Sequence, residues 1–116
     1  METSAARCEF NFSGTHVVIT GGGQGLGRAY AKAFALAGAT VFILDRNFES
    51  ACRVVDEIKA ADGVAFAYKL DVGRLDDVSV VFDRIVKDHN TIHVLINNAA
   101  IFTTLEMKPF YNIDPD

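Results

Sequence analysis

Thr20-Gly21-Gly22-Gly23-Gln24-Gly25-Leu26-Gly27 follows a short apolar run, Thr15-His16-Val17-Val18-Ile19, and opens an Ala-rich stretch. Glycines at 21, 25 and 27 let a chain turn sharply from strand into helix. Without Cβ atoms in the way, a pyrophosphate can approach the N–H groups of the first helical turn, where the helix dipole favours an anion. A glycine cluster alone is as consistent with a flexible loop, so the reading depends on what else the chain carries.

Three further groups fall where such a ligand would need them. Asp45 ends the second apolar run. A carboxylate there accepts both hydroxyls of an adenosine ribose and repels a 2′-phosphate, which favours NAD over NADP. Arg46 follows at once and would attract that phosphate instead, and the plain alternative is a surface Asp at a strand end. Asp71-Val72 ends the third run, where Asp71 either reaches the adenine rim or caps the next helix. Asn97-Asn98-Ala99-Ala100 ends the fourth. Its Asn side chains can bond loop backbone and its alanines leave room for a ribose, or it is simply an Asx turn.

Other reactive residue types form no constellation. His16, His89 and His93 are scattered without metal-ligand spacing and read as exposed or strand-edge residues. Cys8 and Cys52 are too few for a disulfide framework and read as free thiols in a reducing compartment. No metal site and no nucleophile–base pair can be assembled.

The elements that must position these residues alternate. Strands are expected at 15–20, 40–44, 64–70 and 93–96, and helices at 25–37, from Asn47 to Gly63, and at 74–88. Gly38 and Gly63 are expected to close the first two helices, and Asn47 to cap the second with Glu49 in its first turn. Tyr30, Phe34 and Leu36 are expected to pack the first helix; Val54, Val55 and Ile58 the second; Leu75, Val78, Val81, Phe82 and Ile85 the third. Asp76, Asp77, Asp83, Arg84, Lys87 and Asp88 would form its solvated face. A β-α-β-α-β-α-β order implies an α/β fold with a parallel sheet and right-handed crossovers. The division is a polar lead-in over 1–14, with Phe10 and Phe12 on the domain edge, a dinucleotide-binding domain over 15–101, and a loop-like tail over 102–116.

At 116 residues the chain holds one domain at most. A net charge of −4 and the lack of a basic cluster argue against nucleic acid as a partner. No secretory h-region and no run long enough to span a bilayer is present, so no membrane association and a cytoplasmic location are expected.

Together these elements resemble the short-chain dehydrogenase/reductase family over about 13–114. T-G-x-x-x-G-x-G appears as Thr20 to Gly27, the acidic residue after strand two as Asp45, the D-V pair as Asp71-Val72, and N-N-A-G as Asn97 to Ala100. The resemblance implies a Rossmann-type parallel sheet of about four strands in order 3-2-1-4 with helices on both faces. It implies that Gly21, Gln24, Gly25, Leu26 and Gly27 hold a pyrophosphate through backbone and that Asp45 holds the adenosine ribose. Asp71 and the Val72 backbone would contact adenine, and Asn97 would line the adenosine side. The family transfers hydride between a nicotinamide cofactor and a carbonyl or secondary alcohol, and full-length members are expected to form homo-oligomers.

Departures accompany the likeness. Ala100 replaces the usual Gly, Gly73 stands where Ser or Thr would strengthen the cap on the third helix, and His93 stands where Asp is frequent. The family's catalytic Ser and Tyr-x-x-x-Lys have no counterpart: none of Tyr30, Tyr68 or Tyr111 is followed four residues on by Lys. The expectation is therefore the cofactor-binding half of such an enzyme, inactive alone, with a small-molecule substrate engaged only in a full-length form. The apolar residues from Val94 to Ile96 would leave a bare sheet edge and marginal stability. The alternative is a stand-alone nucleotide-binding or interaction module without turnover.

Overall fold

Val17-Val18-Ile19 and Val41-Phe42-Ile43-Leu44 are unbroken apolar runs because their strands are covered on both faces. The computed structural model describes residues 11–98. It contains β1 (His16–Thr20), α1 (Gly25–Leu36), β2 (Thr40–Asp45), α2 (Phe48–Ala60), β3 (Val64–Lys69), α3 (Leu75–His89) and β4 (Val94–Asn97). The strands form one parallel sheet in the order β3-β2-β1-β4. This is the Rossmann-type arrangement expected from the sequence. Cys8, Phe10, Ala99, Ala100, Tyr111 and the 102–116 tail lie outside the described residues.

Alternation along the strands divides the core into two layers. Val17, Ile19, Val41, Ile43 and Ala65 face α1 and α2, meeting Ala31, Ala51, Val54, Val55 and Ile58. Val18, Phe42 and Leu44 face the other way, toward Ile85 of α3 with Val78, Val81 and Phe82 around it. Each fully buried aliphatic or aromatic side chain contributes about 1.5–3 kcal/mol. Phe12 stacks edge-on against Phe34, with ring centroids 5.2 Å apart, and so fastens the lead-in to α1.

Packing expectations need correction on two helices. Leu36 is 86% exposed and Tyr30 also faces solvent, so Phe34 alone of the expected trio packs α1 onto the core. Leu75 is 82% exposed although it shares helical spacing with Val78 and Phe82. It stands in the first turn of α3, which contains no buried residue.

Gly63 does close α2, together with the residue before it. Asp62, not Gly63, takes the left-handed conformation (φ 67°), and its N–H donates to the Lys59 carbonyl at 3.0 Å. The Gly63 N–H donates to the Ile58 carbonyl at 2.9 Å, completing a Schellman close. Glycine is needed at 63 for a different reason: a Cβ there would stand 2.6 Å from Ile58 Cγ2. A left-handed Asp is strained where glycine is not, so Asp62→Gly is expected to raise stability by about 0.5–1 kcal/mol. Thermal unfolding followed by circular dichroism reads this as a higher Tm, and an unchanged or lower Tm contradicts it.

The three histidines are not scattered in space. His16 opens β1, His89 ends α3, and His93 precedes β4, all at the amino edge of the sheet. The His16 N–H donates to His93 Nδ1 at 2.9 Å, and the His93 N–H returns a bond to the His16 carbonyl at 2.9 Å. His16 Nδ1 lies 2.8 Å from the Thr91 carbonyl, which can only accept, so that nitrogen carries the proton. His93 thus supplies the acceptor that closes the start of β1 onto β4, a structural duty at a position where Asp is frequent in the resembled family. Among the described residues no group of side chains could hold a metal ion.

Candidate functional site

Parallel strands bring all their carboxyl ends to one edge, so Thr20, Asp45, Asp71 and Asn97 lie along one rim of the sheet. Topology accounts for their meeting, since residues distant in sequence end neighbouring strands.

The start of α1 differs from those of its neighbours. Its N-cap, Gln24, is extended (φ −162°, ψ 168°) and makes no side-chain cap hydrogen bond, and its first turn contains no acidic residue. By contrast Asn47 caps α2, accepting from the Ser50 N–H, with Glu49 in the first turn, and α3 begins with Asp76 and Asp77. The leading N–H groups of a helix lack partners within it. Among the described residues, neither a side-chain cap nor a first-turn carboxylate offsets them at α1.

Space is present where those N–H groups emerge. Gly25 has φ 59°, a conformation suited to glycine, and among the described residues nothing lies within 4 Å of where its Cβ would be. Gly27 is buried, and a Cβ there would run into the Gly21 carbonyl and come within 2.7 Å of Asn98 Nδ2. Leu26 and Gln24 are exposed at the mouth of the loop. Arg28, the cation of this turn, is committed elsewhere: its Nε and Nη2 each bond Glu57 at 2.9 Å. Those bonds hold the Glu57 carboxyl below the usual range, with desolvation opposing.

Asp45 is the last residue of β2, half-buried, beside the loop. Its Oδ2 accepts from the Gly23 N–H at 3.0 Å and its Oδ1 from the Asn47 N–H at 2.9 Å. Asp71 is half-buried, and its Oδ1 accepts from the Gly73 N–H at 2.9 Å in the turn before α3, so its local turn-forming role is present. The cap itself is Arg74, which bonds no backbone through its side chain. A recess of about 490 Å³ beside these residues is lined by Arg46, Lys69, Asp71, Asp76, Asp77, Val80 and Val81. Val72 packs toward α3 and lines a smaller hollow with Thr20 and Asn97.

Two residues outside the expected site set hold its floor. The buried Thr20 hydroxyl accepts from the Asn98 N–H at 3.0 Å and donates to Asn97 Oδ1 at 3.1 Å. Asn98 Nδ2 donates to the Gly21 carbonyl at 3.2 Å. The end of β4 therefore grips the loop after β1. The sequence reading that the paired Asn side chains bond loop backbone is borne out at Asn98, whereas the part played by the Thr20 hydroxyl was marked only by its place at the end of a strand.

The fold is an α/β domain of Rossmann type, and these residues lie along the rim at the carboxyl ends of its strands. A model of the short chain dehydrogenase family matches residues 15–116, and the chain belongs to that family. It is 38% identical over 87 residues to the 7alpha-hydroxysteroid dehydrogenase of Escherichia coli K12, spanning 75% of this chain and 34% of that relative. It is 37% identical over 91 residues to the short-chain dehydrogenase/reductase homolog YusS of Bacillus subtilis, spanning 78% of this chain and 84% of that relative. The chain thus spans about a third of the first relative and most of the second. Among solved structures, an Escherichia coli hydroxysteroid dehydrogenase is similar with a TM-score of 0.75 at 37% identity, over 78% of this chain and 38% of that one. A metagenomic short-chain oxidoreductase in complex with NADP gives a TM-score of 0.76 at 30% identity, over 90% of this chain and 46% of that one. An oxidoreductase from Haemophilus influenza with bound NAD gives 0.71 at 36% identity, over 74% of this chain and 31% of that one.

Proposed function

We propose that the chain is the cofactor-binding half of an oxidoreductase that prefers NAD to NADP. One observation carries the reading: an uncapped, carboxylate-free start of α1, with open space at Gly25, lies on the same rim as Asp45. The residues fit a dinucleotide. Backbone from Gly21 to Gly27, with Gln24 and Leu26 at its mouth, would take the pyrophosphate, and Asp45 the adenosine ribose hydroxyls. Asp71 and the Val72 backbone would border adenine, and Asn97 the adenosine side. The bound nicotinamide would supply hydride transfer to a carbonyl or from a secondary alcohol.

NAD is favoured because the Asp45 carboxylate would repel a 2′-phosphate. The recess beside it adds three more carboxylates against the two cations Arg46 and Lys69. Turnover would need residues that this sequence does not contain, since no Tyr-x-x-x-Lys pair is present.

Titration of the full chain with NADH and NADPH, read by nicotinamide fluorescence, tests this. NADH is expected to bind about tenfold more tightly than NADPH, with Asp45→Ala narrowing the gap. Tighter NADPH binding overturns the preference, and absence of binding to either overturns the reading. Turnover of alcohols or carbonyls by the 116-residue chain alone contradicts its assignment as the non-catalytic half.

A further inference from the structure

The Asp45 carboxylate already holds two backbone N–H groups, from Gly23 and Asn47. An ionised carboxylate has about four lone-pair sites, so two remain for a pair of ribose hydroxyls without displacing either bond. Gly23 is buried and tightly seated: a Cβ there would stand 2.8 Å from Asp45 Oδ2, 2.8 Å from Ser50 Cβ and 3.0 Å from the Ala51 nitrogen. The middle of the glycine loop is thus wedged between the end of β2 and the first turn of α2. Gly23 lies two residues before the start of α1, so its placement sets the direction in which the first N–H groups of that helix point.

We propose that Asp45 is a positioning residue for the phosphate-binding loop: by fastening the Gly23 N–H, it sets diphosphate affinity through a side chain that does not touch the phosphate. The inference rests on the dinucleotide reading above and gives Asp45 a second duty there. Its sign is distinctive. Coulomb's law alone says that removing a carboxylate beside an anion site tightens anion binding. Loss of the fastening loosens it.

The test uses amide exchange in the ligand-free chain, together with inorganic pyrophosphate as a probe lacking ribose. In Asp45→Ala the Gly23 amide is expected to exchange about tenfold faster, while the Val18 amide in the core is unchanged. Pyrophosphate affinity is expected to fall about fivefold. Asp45→Asn keeps the shape but offers one acceptor oxygen and a donor, so either the Gly23 or the Asn47 amide is expected to lose protection. Unchanged Gly23 exchange in Asp45→Ala, or pyrophosphate binding that is unchanged or tighter, overturns the proposal and confines Asp45 to the ribose. A wild-type chain that binds neither NADH nor pyrophosphate overturns the dinucleotide reading itself, a result distinct from selective failure in the variants.

Discussion

Gly27→Ala is expected to destabilise the chain by about 3 kcal/mol and to weaken dinucleotide binding with it. The added methyl meets the Gly21 carbonyl and Asn98 Nδ2, the two groups whose bond ties the glycine loop to the end of β4. A flexible side chain could swing away, but a carbonyl in the turn after β1 moves only if the turn moves. Gly21 also bonds the Leu44 carbonyl through its own N–H at 2.7 Å, so the displacement would carry into the pairing with β2. Denaturant unfolding and NADH titration of the same variant check both parts. Stability within about 0.5 kcal/mol of wild type would mean that the helix start yields far more easily than its packing implies.

Phe42→Ala is expected to cost more, about 3–5 kcal/mol. Phe42 is fully buried at the middle of β2 and is the largest such side chain in the core. Its ring stacks on Phe66 at 5.6 Å and meets the edge of His89 at 4.7 Å and of His16 at 5.5 Å. Removing it empties the layer between sheet and α3 and leaves the histidine cluster without its apolar backing. Leu36→Ala, on an exposed side chain, provides the contrast and is expected to shift stability by no more than about 0.5 kcal/mol. Equal losses from the two would mean that the layer under α3 collapses to fill the space.

What the sequence disclosed follows from which signals are local. Unbroken apolar runs at 17–19 and 41–44 marked strands covered on both faces, and the helical spacing of Val54, Val55 and Ile58 marked the buried side of α2. From their alternation the sheet and its order could be read with the family resemblance. That Asp45 ends β2 and that the glycines lead into α1 was legible because strand ends and glycines are themselves the signal. The histidine cluster was not, because His16 and His93 meet only when β4 returns beside β1. Leu75 misled because helical spacing says which side of a helix a residue is on, not whether another layer covers it. At the close of α2 two physical demands operate, a left-handed backbone and a close approach, and both select glycine. Here they fall on adjacent residues, and Asp62 bears the first.

Bonds between β1 and the segment around β4 join residues 76 to 78 positions apart. Closing so long a loop is entropically costly before any contact rewards it, whereas each neighbouring β-α-β crossover closes over a shorter stretch. β4 is therefore expected to dock last, and its amides to acquire protection after those of β1 and β2 in pulse-labelled refolding. Asn97 and Asn98 arrive with it, and Asn98 is the side chain that grips the Gly21 carbonyl. Completion of the four-stranded sheet and assembly of the rim at its carboxyl edge would then be a single late kinetic event.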